Sequence, residues 1–284
     1  MLHQFTIFAY LCDQHFSAMR LDVFLVERQL LLSREKAQLA IAAGLVLVND
    51  KVARKTAQQV SPTDVVQLLV PPLAYVSKGG DKLAKALQVF AYDCHNKTVL
   101  DIGASTGGFT DCVLQAGAQK VYAVDVGSGQ LVASLRENPK VVVLENTHIK
   151  DLTVADIDHA AIDLVVIDVS FISLSQVLGL LLPFCQAHTH IISLIKPQFE
   201  AGQANIRRGG IVTSPNVHIS VIKNLQHAAA THQLFLHQLT FAPIQSIQKN
   251  IEYLALWQWQ MPPEAVDIAA VVQAAQVVQK GLGK

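Results

Sequence analysis

The feature that most constrains the fold is the stretch Thr98–Thr110, T-V-L-D-I-G-A-S-T-G-G-F-T. Its short apolar run, Val99-Leu100, reads as a buried strand. Asp101 and Gly103 end that strand, and Gly107-Gly108 lead into a helical pattern that stops at Gly117. Glycines at such a turn let the backbone approach a ligand, and free N–H groups at the helix start face it. A second apolar run, Val121–Val124, ends in Asp125, twenty-four residues after Asp101. In nucleotide-binding α/β folds an acidic residue at that point grips ribose hydroxyls. A purely structural βα turn would carry similar glycines, but the spacing to Asp125 favours a nucleotide-type ligand.

The alternation continues down the chain. Val141–Leu144 reads as a strand leading to Glu145-Asn146-Thr147-His148, Asp163–Ile167 as a strand ending in Asp168, and His190–Ile195 as one ending in Lys196-Pro197. The intervening stretch 173–187 reads as a helix that Pro183 should bend or end early. Repeated βα units imply a parallel sheet with helices on both faces, and ligands bind beyond the carboxyl ends of its strands. Asp101, Asp125, Asp168 and Lys196 all fall there. Leu234–Phe241 and Ile251–Trp259 are expected as an antiparallel edge pair with Glu252 at a strand start, and 264–284 as a terminal helix. The stretch 199–215 has no apolar period and contains Arg207-Arg208-Gly209-Gly210, which reads either as a surface loop or as a mobile basic flap over RNA. Ahead of the sheet, Lys78-Gly79-Gly80-Asp81-Lys82 precedes a helix with Leu83, Leu87 and Phe90 on one face. Lys82 at a helix start is an odd place for a cation, given the helix dipole.

A length of 284 residues fits about two domains, and 51% apolar residues can fill their cores. Net charge is zero, so any nucleic-acid contact must come from local patches. The four cysteines, Cys12, Cys94, Cys112 and Cys185, lie far apart with no CxxC pair. That points to unpaired thiols in a reducing, cytoplasmic setting and to no metal site. No apolar run approaches the ~18 residues of a membrane helix, and the N-terminal run Phe5–Cys12 lacks a preceding Lys or Arg, so no signal peptide is expected. Residues 1–18 are expected to be a disordered, dispensable extension, with translation often starting at Met19. From Met19 an amphipathic pattern places Leu21, Phe24, Leu25 and Leu32 on one helical face. Ser33 can cap a second helix that Gly44 ends. Leu45–Val48, a turn at Asn49-Asp50 and Val52 suggest a hairpin, and Asp64–Val70 adds a strand. Between Arg20 and Pro72 there are seven Lys/Arg against five Asp/Glu.

R-L-D-V-F-L-V-E-R, S-R-E-K-A-Q and A-G-L-V-L-V-N-D resemble the S4 RNA-binding domain, a small α+β unit that presents a basic face to folded RNA. The resemblance covers most of Arg20–Leu69 and implies RNA contacts from Arg20, Arg34, Lys36, Lys51 and Lys55, with Arg207 and Arg208 added by the basic flap; protein binding is the other use of such a fold. K-G-G-D-K-L, D-I-G-A-S-T-G-G-F-T, V-I-D-V-S-F-I-S, L-I-K-P-Q-F-E and N-I-E-Y-L occur in the order seen in the TlyA (hemolysin A) family. The expected architecture is therefore an S4 domain over 20–72 and, over 75–284, an α/β FtsJ-like methyltransferase domain of the Rossmann-like class I kind. The resemblance implies S-adenosylmethionine as cofactor, held by Asp101, Gly103, Ala104, Ser105, Thr106, Gly107, Gly108, Phe109, Asp125, His148 and Asp168. It further implies 2′-O-methylation of ribose in ribosomal RNA, at cytidines, with ribosomal RNA or subunits as partners, and a catalytic set of Lys82, Asp168, Lys196 and Glu252.

The chemistry needs such a set, because a ribose 2′-hydroxyl is a weak nucleophile and must lose its proton as it attacks a sulfonium methyl. An unperturbed lysine is protonated at neutral pH, so a lysine base needs a neighbour that favours its neutral form. Lys196 is assigned as that base, Lys82 as its like-charged neighbour, Asp168 as its orienter, and Glu252 as the partner of Lys82. The chain departs from the family pattern at Lys78, often arginine, at His148, often asparagine, near Ser246, often a small residue, and at Lys249, often glycine. The last change adds charge beside Glu252 and stiffens the turn. Three other classes compete. A base N-methyltransferase would show Asn/Asp-Pro-Pro-aromatic where this chain has Asp168-Val169-Ser170-Phe171. A pore-forming hemolysin would need secretion and a membrane-inserting element. A non-catalytic RNA-binding assembly factor is opposed by the intact Lys82, Asp168, Lys196 and Glu252.

Overall fold

From residue 98 onward, Val/Ile/Leu runs alternate with helix-forming stretches, and in the computed structural model of the chain they build one large sheet. The structure describes residues 8–11, 18–28, 30–31, 34–69, 74–207, 209–262 and 265–283. It divides into two compact units, Met1–Ala74 and Tyr75–Lys284.

The first unit runs β1 (Phe8–Leu11), β2 (Met19–Arg20), α1 (Leu21–Glu27), α2 (Arg34–Ala42), β3 (Val46–Val48), β4 (Lys51–Val52), β5 (Gln59–Val60) and β6 (Val65–Leu68). Leu21, Phe24 and Leu25 of α1 and Ala37 and Ile41 of α2 bury against Val46, Val66 and Leu68, as the helical spacing predicts. Leu32 and Ser33 lie outside the described residues. Asn49 and Asp50 both take positive φ, 51° and 62°, the backbone that a two-residue hairpin of the right twist demands. The extension expected to be disordered instead contributes β1, which pairs antiparallel with β6, Phe8 opposite Leu68. Phe-Ala-Tyr-Leu is a strand-forming run, and β6 otherwise presents an unpaired edge on that side. Residues 1–7 and 12–17 lie outside the described residues.

Asp22 is the polar centre of this unit. It is 0% exposed and accepts from Arg20 Nε and Nη2 at 2.9 and 3.0 Å, from Arg34 Nη2 at 3.1 Å and from Gln38 Nε2 at 3.1 Å. These donors, Arg20 first, hold its carboxyl far below the usual carboxylate range. A depressed folded value means that the stability is present above the unfolded value of ~3.9 and is lost as the pH falls below it. Asp22→Asn should therefore cost about 1–3 kcal/mol at pH 7. Urea unfolding should show the gap to the parent shrinking below pH 4; a gap independent of pH would refute the ionic reading.

The second unit continues with α3 (Lys78–Val89), β7 (Thr98–Ile102), α4 (Gly108–Gln115), β8 (Lys120–Val124), α5 (Ala133–Arg136), β9 (Val141–Leu144), β10 (Leu164–Ile167), α6 (Leu174–Leu178), β11 (His190–Ile195), α7 (Pro197–Glu200), α8 (Pro215–Ala230), β12 (Leu234–Phe241), β13 (Tyr253–Trp259) and α9 (Ile268–Gly281). Its sheet has the order β12-β13-β11-β10-β7-β8-β9. The five strands β7 to β11 are parallel, whereas β13 runs antiparallel between β11 and β12. Both faces are covered: Leu100, Ile102, Val165 and Ile167 pack in one core, and Val99, Val121, Leu164 and Val166 pack with Leu83 and Val113 in the other. That explains why these strands read as unbroken apolar runs. Pro183 ends the expected long helix early, turning its second half into a 3₁₀ segment, Gly179–Phe184.

One boundary differs from expectation. Helix α3 begins at Lys78, not after Lys82, because Ser77 caps it by accepting from Gly79 N and Asp81 sits in the first turn. Gly80 is tolerated there because space demands it, and Gly108 of α4 faces the same crowding. A Cβ on Gly80 would lie 2.3 Å from Tyr75, and one on Gly108 would lie 2.1 Å from Ser77 Oγ. Lys82 thus stands a full turn inside the helix.

Candidate active site

Four strand ends supply the site. The strand order reverses between β7 and β10, and crevices form at such a switch beyond the carboxyl edge. Gly103 follows β7, Asp125 follows β8, Asp168 follows β10 and Lys196 follows β11. Antiparallel pairing of Ile195 with Tyr253 brings the start of β13, and with it Glu252, to the same edge. Gly103 has φ 85°, and a Cβ there would lie 2.7 Å from the Asp168 carbonyl oxygen, so only glycine lets these two loops meet.

Three adjoining cavities line this edge. The first, about 370 Å³, is walled by Val124, Val126, Ile149, Ile172 and Val177, with Asp125, Gln130, His148 and Ser105 among its polar groups. The second, about 170 Å³, shares Gly103, Ser105, Asp168 and Ser170 with the first and adds Ala104, Thr106, Gly108, Phe109, Lys82 and Lys196. The third, about 430 Å³, shares Lys82 with the second and includes Glu252, Gln198 and Lys249.

The expected catalytic residues form two ion pairs. Lys196 Nζ lies 2.6 Å from Asp168 Oδ1, and Lys82 Nζ lies 2.6 Å from Glu252 Oε2. Lys196 is only 9% exposed. Its aligned hydrogen bond goes to Ser170 Oγ at 2.8 Å, while the approach to Asp168 is electrostatic. Pro197 at the first position of α7 starts the helix directly after the lysine. Asp125 accepts from Ser105 N at 2.8 Å and from Gly127 N at 2.7 Å, which fixes the carboxylate and leaves lone pairs for a ligand. Glu145, not singled out from sequence, gathers Gly129 N, Gln130 N, Leu131 N and Arg136, and so shapes the loop that carries Gln130; these donors hold its carboxyl down at about 2.

Two expected cofactor contacts do not reach the cavities. Gly107 has φ 97°, and a Cβ on it would lie 2.3 Å from Leu135, so its glycine serves the turn and the packing of α5. Asp101 is fully buried and accepts from Thr110 Oγ1 at 2.6 Å. Burial pushes its carboxyl up to about 7 against the Thr110 bond, and the negative charges of Asp168 and Asp125 add to the rise. A raised carboxyl value means that the folded state holds a proton the unfolded chain has lost, so stability falls as pH rises from about 4 to about 7. Asp101→Asn should remove that slope, a relative gain of up to ~4 kcal/mol at pH 8 over pH 4, at ~1.4 kcal/mol per pH unit. Parallel pH profiles of variant and parent in thermal denaturation would contradict it.

Ser170 and Phe171 also went unassigned, although they follow Asp168 directly. Phe171 is 91% exposed at φ 66° and tilts against Phe199 at 5.1 Å between centroids. A bulky residue in that backbone region costs about 1–3 kcal/mol, and such strain concentrates at functional sites. Of the expected RNA contacts, Lys36, Lys51, Lys55 and Arg207 are exposed, Arg20 and Arg34 share their charge with Asp22, and Arg208 lies outside the described residues. Lys249 takes no left-handed backbone, and its carbonyl accepts from Gln279 Nε2 at 2.8 Å, so the turn beside Glu252 accommodates a side chain.

Residues 75–259 match the family model of FtsJ-like methyltransferases, and residues 19–66 match that of the S4 domain. The larger unit is therefore a Rossmann-like methyltransferase, joined to an S4 domain. YqxC of Bacillus subtilis (strain 168) is 43% identical over 240 residues, covering 84% of this chain and 85% of that one. The 16S/23S rRNA (cytidine-2'-O)-methyltransferase TlyA of Mycobacterium tuberculosis (strain ATCC 25618 / H37Rv) is 41% identical over 241 residues, covering 84% and 88%. A solved hemolysin-like protein from Streptococcus thermophilus superposes with a TM-score of 0.74 at 36% identity, covering 94% of this chain and 99% of that one. The chain belongs to the TlyA (hemolysin A) family of S4-domain, FtsJ-like methyltransferases. Among the described residues, no helix is long and apolar enough to cross a membrane.

Proposed function

We propose that the protein transfers a methyl group from S-adenosylmethionine to the ribose 2′-hydroxyl of a cytidine in ribosomal RNA. The observation that carries this reading is the small cavity bounded by Lys82, Asp168, Ser170 and Lys196, which adjoins the Asp125 cavity on one side and the Glu252 cleft on the other. The first cavity fits the cofactor: apolar walls for an adenine, the pinned Asp125 carboxylate for ribose hydroxyls, and His148 with Nδ1 engaged by Lys150 N so that Nε2 is the nitrogen left for a ligand. When bound, the cofactor supplies an electrophilic methyl on a sulfonium.

Lys196 is the base that takes the hydroxyl proton. Ser170 Oγ and Asp168 fix where Nζ stands, so the base meets the acceptor in one geometry. Lys82, held by Glu252, stands in the same cavity, where it can hydrogen-bond the hydroxyl oxygen. The exposed Phe171 ring offers a stacking surface for an unstacked base, the usual way in which single-stranded RNA is held. Lys36, Lys51 and Lys55 of the S4 domain supply phosphate contacts. Mapping 2′-O-methyl groups in ribosomal RNA from cells with and without the gene tests this. Loss of methylation at specific cytidines is expected; identical maps would refute the assignment.

A further inference from the structure

The Arg207–Ile211 segment, expected to be a loop or a mobile flap, is a short hairpin with its own anchor. Arg207 and Ile211 form a β-bridge, with Arg207 N donating to Ile211 O at 3.0 Å, and Gly210 N closes the turn on Arg207 O at 3.0 Å. Gly209 and Gly210 have φ 88° and 77°, and a Cβ on either would meet nothing within 4 Å. These glycines are present for the turn's backbone, not for packing.

The hairpin's root is fastened from both sides. Val212 is buried; its N–H donates to Asn250 Oδ1 at 2.8 Å, and its carbonyl accepts from His218 Nε2 at 2.9 Å. His218 is fully buried, and its Nδ1 pairs with Tyr253 OH at 2.9 Å. With Nε2–H given to a carbonyl, Nδ1 is the acceptor for that hydroxyl. Asn250 uses its other end as well: Nδ2 donates to Gly210 O at 2.8 Å. Both ends of the amide are therefore assigned by backbone partners on the hairpin. Asn250 stands two residues before Glu252, and Tyr253 stands one after it. Gly209, Ile211, Asn250 and Glu252 all line the third cavity together with Lys82.

We infer that Asn250 is a positioning residue that locks the Arg207 hairpin to the strand start carrying Glu252, so that Arg207 engages an RNA backbone phosphate while the acceptor ribose lies against Lys82. This rests on the reading of the third cavity as the RNA side of the site. The structure supplies the coupling directly, because displacing the hairpin must break two Asn250 hydrogen bonds made at the edge where Glu252 holds Lys82.

The test uses the full chain and ribosomal RNA purified from cells lacking the gene. Asn250→Ala should raise KM for RNA about tenfold, the weight of a lost charged phosphate contact, with kcat changed less than about threefold. The Kd for S-adenosylmethionine should stay unchanged. The slope of log RNA affinity against log salt should fall by about one in both Asn250→Ala and Arg207→Ala, and the double variant should be no worse than either single one. Asn250→Asp keeps the acceptor for Val212 N–H but turns an anionic oxygen on Gly210 O, so it should be no better than alanine. Additive losses in the double variant, or a fall in melting temperature without a change in KM or salt slope, would overturn the inference. If RNA binding follows the expected pattern while the parent transfers no methyl group, the hairpin's role stands and the proposed activity falls.

Discussion

Lys196→Ala should lower methyl transfer at least ~10³-fold while binding of S-adenosylmethionine stays within about threefold. The side chain is almost entirely enclosed, its nitrogen sits between Asp168 Oδ1 and Ser170 Oγ, and among the described residues no other amine except that of Lys82 lines the small cavity. Lys82 is engaged by Glu252 and cannot take over without breaking that pair. Lys196→Arg should be as inactive as alanine, since a guanidinium retains the charge but does not surrender a proton near neutral pH. Cofactor affinity is spared because the first cavity, with Asp125 and the apolar walls, is built without Lys196. Turnover in Lys196→Ala within tenfold of the parent would remove this residue from the mechanism.

Asp125→Ala should have the opposite signature. The Kd for S-adenosylmethionine is expected to rise roughly 30-fold or more, by loss of charged hydrogen bonds to the ribose. Saturating cofactor should restore kcat to within several-fold, as the groups that handle the proton are untouched. The same carboxylate also receives Ser105 N–H and Gly127 N–H, so its removal frees the glycine loop on one side and the following turn on the other. An unchanged Kd by calorimetry would show that the carboxylate serves only those two backbone groups.

The site was legible in the sequence wherever one strand's end could be read locally. Apolar runs closing in Asp125, Asp168 or Lys196 place those residues at the carboxyl edge of a parallel sheet, and that is where they stand. Glu252 was legible as a strand start, but its neighbourhood depends on the antiparallel register Ile195–Tyr253, which no local pattern encodes. Features set by packing were hidden. The start of α3 was misplaced because two glycines argue against a helix unless Tyr75 is known to crowd Gly80. Asp101 and Gly107 look like ligand contacts within a glycine loop; they pack against Thr110 and Leu135 and line none of the three cavities. Ser170 and Phe171 lacked any spacing signal, since their roles follow from where the β10 and β11 loops converge. The pairing of Phe8–Leu11 needed the open edge of β6, which is again a property of the assembled sheet.

The most direct measurement is transfer of an isotope-labelled methyl group from S-adenosylmethionine to ribosomal RNA purified from cells lacking the gene, followed by digestion to nucleosides. The account predicts label in 2′-O-methylcytidine with the full chain and none with Lys196→Ala. Label in a base-methylated nucleoside, or equal labelling by the two proteins, would contradict it.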